Sequence, residues 1–567
     1  MSNRTTGARV LAETLKAYGT DHVFMVPAVL RRSMAEMERR TDIKIIHTHG
    51  EKSAAYMADG YARVSGKPGI CMAQQVGALN LAAGIRDAHL ANSPVIAMTG
   101  GSKPSQRHRN LYQEADDLPA FTAYTKLNIA IDDVERFPEL ISRAFREATS
   151  GSPGPVHLQF QGQEGEIDAQ EGEMLVRCED RHRRVPPYRP RASATDLENL
   201  LGRIQQASRP VIVAGGGANH SRCGGELVRL AERLNVPVAT SLNGRGVIAE
   251  THPLALGVVG TYSRPSANQA VHHADFVLFV GSRVGSMVSN FWHLPTPGTP
   301  VAQVDIEPSA IGLGMTVDIG INADAKTALS QMLDLPAPAK RDDRDDWIKT
   351  CLSFARDWCA LRAQMIACEA IPIRPERLCH ELSEWLPEDA IIVVDTGHAG
   401  MWMASMFELT SPHQRFIRSA GHLGWAFPAG LGAKCAAADR PVVTFTGDLG
   451  FWYHIADVET AVRCGINAIT VVNNNHSGNQ SRRGFSNAYD GKPTQKSEEL
   501  WVHGEVNFAA LAEQIGALGI RVTEPGGIRN ALDQALSANR PAVIDVVTDI
   551  EAAAPTAWDS DGWLQRY

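Results

Sequence analysis

Cysteine is sparse and unpatterned in this chain: nine residues, at 71, 178, 223, 351, 359, 368, 379, 435 and 464, with no C-x-x-C pair. That spacing suggests neither a zinc site nor a disulfide framework, and a reducing cytoplasm is the simplest compartment. Basic runs are missing too, and the formal charge of −8 argues against a nucleic-acid surface. Long apolar stretches are absent: AIIVVD, from 390, is far too short to span a bilayer. The N-terminus MSNRTTGARVLAETLKAYG has no secretory core and reads as an amphipathic helix. What is present is ordinary for a globular protein, 44% apolar and 21% charged residues. The expected partner is a small-molecule substrate, with no nucleic acid and no membrane.

Short β-branched runs alternate with helical periods, the pattern of parallel α/β sheets. The first block carries KIIHTH, GICMAQ, PVIAMTG and VHLQF. A charged, proline-containing stretch, QEGEIDAQEGEMLVRCEDRHRRVPPYRPRAS, reads as a linker. The second block carries PVIVAGGG, NVPVATS, ADFVLFVG and PVAQVDIE, and ends at the polar break PAPAKRDDRDDW. The third carries AIIVVD, PVVTFTGD, NAITVVNNN and PAVIDVV. We therefore expect three doubly wound parallel-sheet α/β domains over 1–165, 190–335 and 370–550. The Trp-containing tail 551–567 reads as a plain terminal extension, with a cover over a site as the competing expectation.

Ligands of such sheets bind at the carboxyl ends of strands. Two strand ends carry suggestive residues: GDLG at 447–450 and NNN at 473–475, joined by WYHIADVETAVRCG, which reads as a helix. Strand–helix–strand geometry sets Asp448 and Asn475 at one sheet edge. A carboxylate, a carboxamide oxygen, a backbone carbonyl and waters suit a hard cation such as Mg²⁺. With so few protein ligands, that cation calls for a phosphate ester. The residues alone leave a second reading open, in which Asp448 caps a helix and the asparagines form a turn.

The Gly-Asp pair and its closing asparagine resemble the metal–diphosphate motif of thiamine diphosphate (ThDP) enzymes. By that resemblance Asp448, Asn475 and the backbone carbonyl of Ser477 are Mg²⁺ ligands, and Gly447, Leu449 and Gly450 line the diphosphate. Leu449 is a departure, standing where a tight phosphate turn favours glycine. The first block supplies the family's second requirement, a glutamate before a helix: HTHGEKSAAYMADGYAR places Glu51 there, with Gly50 intervening after His49. The resemblance implies that Glu51 hydrogen-bonds the cofactor's N1′ atom and activates it, burial raising its carboxyl pKa. AQQVGALNLAAG and LYQEADDLPAF resemble segments of the acetolactate synthase group, and Gln113 would face the reacting carbon. In SAGHLGWAFPAGLGAK, Leu423 takes the position of the residue that props the cofactor in its bent shape. VVDTGHAGMW sets Thr396, Gly397 and His398 near the phosphates.

The middle block resembles the central domain of acetolactate synthases, where the family holds FAD. Here VGSRVGSMVSNFW lacks the double aspartate of the family's segment. FAD is therefore doubtful, and an empty site, ADP or coenzyme A stand beside it. The resemblance implies C–C bond cleavage or formation on a 2-oxo acid or related carbonyl, by a decarboxylase, carboligase or lyase. A 2-hydroxyacyl-coenzyme A lyase or oxalyl-coenzyme A decarboxylase is the nearest alternative. A non-catalytic relative is suggested by Gly50 and Leu449. A nicotinamide dehydrogenase would use the GGG of the middle block, but gives Glu51, Asp448 and Asn475 no role. The stretch NNNHSGNQSRRGFSNAYDGKP differs from the acetolactate synthase pattern, and Arg482 and Arg483 are candidates to meet a substrate anion. By resemblance the active unit is a homodimer or homotetramer, with sites at the subunit interface.

Overall fold

A computed structural model describes residues 4–336, 341 and 344–558. It contains three six-stranded, all-parallel sheets flanked by helices, the expected fold class. The first runs in the order Lys44–His47, His22–Met25, Gly69–Ala73, Val95–Gly101, Val156–Gln161, Asn128–Ile131. The second runs Ala255–Val258, Val238–Thr240, Pro210–Ala214, Phe276–Val280, Val301–Asp305, Ile319–Asn322. The third runs Arg415–Arg418, Ile391–Val394, Val442–Gly447, Ile469–Asn474, Ala542–Val547, Leu518–Val522. Inner strands such as GICMA, FVLFV and IIVV are buried along their whole length. Helices cover both faces of such strands, so they read as continuous apolar runs.

Two sequence expectations change. The charged stretch after VHLQF is not a free connector, because Glu171–Glu173 pairs antiparallel with Arg4–Thr6 and returns to the first unit. The segment between Asp448 and Cys464 is two helices, Asp448–Trp452 and Asp457–Cys464, rather than one. Part of the polar break, 337–340 and 342–343, lies outside the described residues, as do tail residues 559–567. The described part of the tail packs inward. Ala552 and Ala554 are buried, and the Trp558 carbonyl accepts from Asn268 Nδ2 at 3.1 Å. No helix among the described residues is long and apolar enough to cross a membrane.

The first and third units meet through the helices Glu51–Ser65 and Ala426–Ala436. Small residues let the backbones touch. A Cβ on Gly60 would lie 2.0 Å from the Ala429 carbonyl oxygen, and one on Gly432 would lie 1.9 Å from that of Met57. A buried network pins the same seam: Arg63 bridges Asp59 at 2.5 Å and Asp87 at 2.9 Å, while Trp425 Nε1 donates to Asp59 at 2.9 Å. Gly60→Ala must push the helices apart, and overpacking of this kind costs about 1–3 kcal/mol. We expect a lowered thermal midpoint by circular dichroism; an unchanged midpoint would contradict this packing.

Candidate cofactor site

The helix Asp448–Trp452 begins directly at the end of the strand Val442–Gly447, so Leu449 is helical and needs no glycine conformation. Its side chain instead covers the chain beyond the asparagines, with Leu449 Cδ2 3.1 Å from where a Cβ on Gly478 would stand. Gly450 is the constrained position. A Cβ there would lie 2.8 Å from both Asp395 Oδ2 and Thr446 Oγ1. Beside Gly447 the space is open, with nothing within 4 Å of a Cβ.

Asp448 is buried at 1% exposure. Its Oδ1 accepts from the Leu449 N–H at 2.6 Å and its Oδ2 from the Ser477 N–H at 3.1 Å. Burial pushes its pKa up to about 6, against the pull of His503 and these backbone donors. The three asparagines have different jobs. Asn474 ties its strand to the next, donating to Asp545 at 2.8 Å and to the Val506 carbonyl at 3.0 Å. Asn475 turns to the site, its Oδ1 accepting from Ser477 Oγ at 2.9 Å. His476, at φ +57°, makes the bend that returns Ser477 over Asp448. Among the described residues no three His, Cys, Asp or Glu side chains cluster as a metal-binding group. The oxygen donors gathered here are the Asp448 carboxylate and the Asn475 carboxamide, a type of donor that suits hard cations.

Two residues here escaped the sequence reading. Asp395 follows the strand Ile391–Val394 and is buried, with its pKa pushed up to about 7 by desolvation. It accepts from the Thr396 N–H at 2.8 Å, the Gly424 N–H at 3.1 Å and Thr446 Oγ1 at 3.0 Å. One carboxylate thus gathers the three loops that carry Thr396–His398, Leu423 and Gly447–Gly450. An aspartate ending a buried strand was the available signal, since Asp448 was found that way. His503 is the other. Its ring nitrogens are buried without a hydrogen-bond partner, and Nε2 lies 3.9 Å from Asp448 Oδ1. No pattern in the sequence linked it to the site.

Gly397, at φ +69°, precedes the helix His398–Ser405. His398 has a buried Nδ1 without a partner, and burial lowers its pKa to about 4. Leu423 is half-buried, beside a Gly424 at φ +84° that is clamped to Asp395.

Glu51 opens the helix Glu51–Ser65, and its Oε2 accepts from Asn80 Nδ2 at 3.2 Å. A Cβ on Gly77 would stand 2.4 Å from Glu51 Oε1, so the glycine makes room for the carboxylate. Gln113, at φ +62°, accepts from Gln74 Nε2 at 3.1 Å. The segment Gln74–Gly77 thereby lies between Gln113 and Glu51. His49 serves elsewhere, its ring 2.8 Å from Glu459 and its N–H donating to Asp457 at 2.9 Å. Of the two arginines after the asparagines, Arg482 is paired with Glu551 at 2.6 Å.

The structure thus assembles two groups, Glu51 with Gln113, and Asp448 with Asn475, Ser477 and the Asp395 loops. Among the described residues no hydrogen bond or ion pair joins one group to the other. Large apolar side chains are exposed near both, Val76 and Leu79 at 57% by Glu51, and Tyr453 at 53% just past the Asp448 helix.

A separate cavity of about 620 Å³ lies at the strand ends of the middle unit, with Gly216, Gly217, Arg283, Asp305, Tyr262 and Arg418 in its wall. The glycine triplet is explained partly by packing: a Cβ on Gly215 would stand 2.2 Å from the Gly281 carbonyl oxygen.

Three family models match in chain order. They are the N-terminal TPP binding domain of thiamine pyrophosphate enzymes over 5–120, the central domain over 197–332, and the C-terminal TPP binding domain over 395–546. A probable acetolactate synthase large subunit of Methanocaldococcus jannaschii is 33% identical over 97% of this chain and 93% of its own length. An acetolactate synthase large subunit of Lactococcus lactis is 29% identical over 96% of this chain and 92% of its own. The isozyme 3 large subunit of Escherichia coli is 28% identical over 96% and 95%.

Proposed function

Because the chain belongs to the thiamine pyrophosphate (ThDP) enzymes, as an acetolactate synthase-like member, we propose that it joins or cleaves C–C bonds of 2-oxo acids or related carbonyl compounds with ThDP and Mg²⁺. The observation that carries this reading is the Asp448–Asn475–Ser477 cradle beside the open face of Gly447. When bound, ThDP supplies carbanion-stabilising chemistry at a carbonyl carbon. Asp448, Asn475 and the Ser477 carbonyl would hold the cation. Thr396, Gly397 and His398, at the start of an eight-residue helix, would receive the diphosphate, to which helix N–H groups are natural donors. Leu423 would support the cofactor's bent shape by its bulk. Glu51 would hold a proton at the N1′ ring nitrogen, and Gln113 would face the substrate.

The exposed apolar side chains around both groups support a homodimer or homotetramer with the sites at subunit interfaces. All nine cysteines are free, in keeping with a cytoplasmic setting. The cavity of the middle unit has the size of a small-ligand site. Asp305, buried at the end of Val301–Asp305 in the cavity wall, is a carboxylate suited to accept from the hydroxyls of a nucleotide's sugar. FAD, ADP and coenzyme A all meet that description.

Titration of the full chain with ThDP should quench tryptophan fluorescence saturably with Mg²⁺ present and weakly after chelation. Absence of saturable, cation-dependent binding would reject the cofactor assignment. Mass-spectrometric analysis of products from a panel of 2-oxo acids and 2-hydroxyacyl thioesters then identifies the substrate class.

A further inference from the structure

Two glutamines open the segment between Gln113 and Glu51, and each holds a different part of the loop that carries Gln113. Gln75 is 2% exposed. Its Nε2 donates to the Ala115 carbonyl at 3.1 Å and to Ser102 Oγ at 3.0 Å, while its N–H donates to the Gln163 carbonyl at 2.9 Å. It therefore fixes the loop backbone just past Gln113. Gln74, directly after the strand Gly69–Ala73, holds the side chain instead. Its Nε2 donates to Gln113 Oε1 at 3.1 Å, and among the described residues its side chain makes no other hydrogen bond. Gln113 is thus held by backbone and side chain, at a φ of +62° that residues other than glycine seldom adopt. A carboxamide has one accepting oxygen and one donating NH2 group. With Oε1 engaged by Gln74, the end of Gln113 left without a partner among the described residues is the donating one.

We propose that Gln74 is a positioning residue: it turns Gln113 so that the NH2 group, and not the oxygen, meets the substrate. Gln113 then selects a substrate oxygen that accepts a hydrogen bond, that of a carbonyl or carboxylate. With the two carboxamides exchanged end for end, Gln113 would present its oxygen and suit a hydroxyl. The proposal rests on the reading above in which Gln113 faces the substrate.

The test is steady-state kinetics of the full chain with ThDP and Mg²⁺, on the substrate found in the product panel. Gln113→Ala should lower kcat/KM by about 10²-fold, the lower end of the cost of losing a donor aimed at a reacting oxygen. Gln74→Glu offers Gln113 only an acceptor, so the carboxamide must turn its NH2 group toward it. The expected loss is at least about tenfold. Gln74→Lys offers only a donor, preserves the orientation and should stay within a few fold of wild type. Combined with Gln113→Ala, Gln74→Glu should cost nothing further, because its effect passes through Gln113. A loss caused by charge or packing would persist in that background. Undiminished ThDP binding by each variant certifies the fold; loss of binding confined to the Gln74 variants makes the role structural and overturns the proposal. Full activity of Gln74→Glu, equal losses for the two Gln74 substitutions, or a Gln74→Glu loss that persists on Gln113→Ala also overturns it, and leaves the role of Gln113 standing. Full activity of Gln113→Ala, or no product from any compound of the panel, removes the reading beneath the proposal, which falls with it.

Discussion

Glu51→Gln is expected to lower turnover by about 10²–10⁴-fold, the range associated with a positioned acid–base group. Affinity for ThDP and Mg²⁺ should stay within a few fold. The substitution keeps the volume beside Gly77, where Glu51 Oε1 is confined, and keeps an oxygen for Asn80 Nδ2. It also leaves the helix start intact, since Gly50 is extended and Glu51 makes no capping contact. What it removes is a group able to hold and release a proton. Loss of turnover with retained binding would separate that role from packing. Steady-state rates on the substrate found in the product panel, with calorimetric binding of the cofactor, provide the two readouts. Unchanged turnover would refute the role proposed for Glu51.

The sequence reading succeeded where physical constraints act locally. Inner strands such as PVIVA, FVLFV and IIVV are buried on both faces and therefore stand out as apolar runs. Most of the missed strands are short sheet edges: Asn128–Ile131, Ala255–Val258, Ile319–Asn322, Arg415–Arg418 and Leu518–Val522. One face or end of each is partly exposed, so RFIR and LGIRV carry arginine and no continuous apolar signal. Asp448 and Asn475 were legible because each directly follows one of two neighbouring strands, while Ser477 came only from the family resemblance. Asp395 was not, because its partners Gly424, on a loop, and Thr446, in the strand Val442–Gly447, reach it only in the fold. Leu449 is irregular only against a tight turn that needs a glycine. It is ordinary once the helix is seen to start at Asp448.

Glu250→Ala is expected to destabilise the protein by about 3–5 kcal/mol, the scale for removing one partner of a buried ion pair. Glu250 accepts from Arg245 at 2.5 and 3.0 Å, from Arg264 at 2.7 Å and from the Leu409 N–H at 3.1 Å. Both arginines reach across to the third unit. Arg245 donates to the Met403 carbonyl at 2.5 Å and to that of Phe407, which also accepts from Arg264 at 2.6 Å. These carbonyls lie at the far end of the helix that starts at His398, so the cluster clamps the helix that carries a phosphate-side loop. Burial alone would raise the Glu250 pKa, but the two guanidinium charges outweigh it and hold the carboxyl at about 2. A lowered folded pKa means stability present in full above the ordinary value near 4.5 and lost as pH falls toward 2. Wild-type thermal midpoints should therefore fall more steeply between pH 4.5 and 2 than those of the variant. At neutral pH the variant should melt lower and bind ThDP more weakly, because its two guanidinium groups remain buried without their carboxylate. A variant with the wild-type midpoint at neutral pH would show that the clamp contributes nothing to the fold.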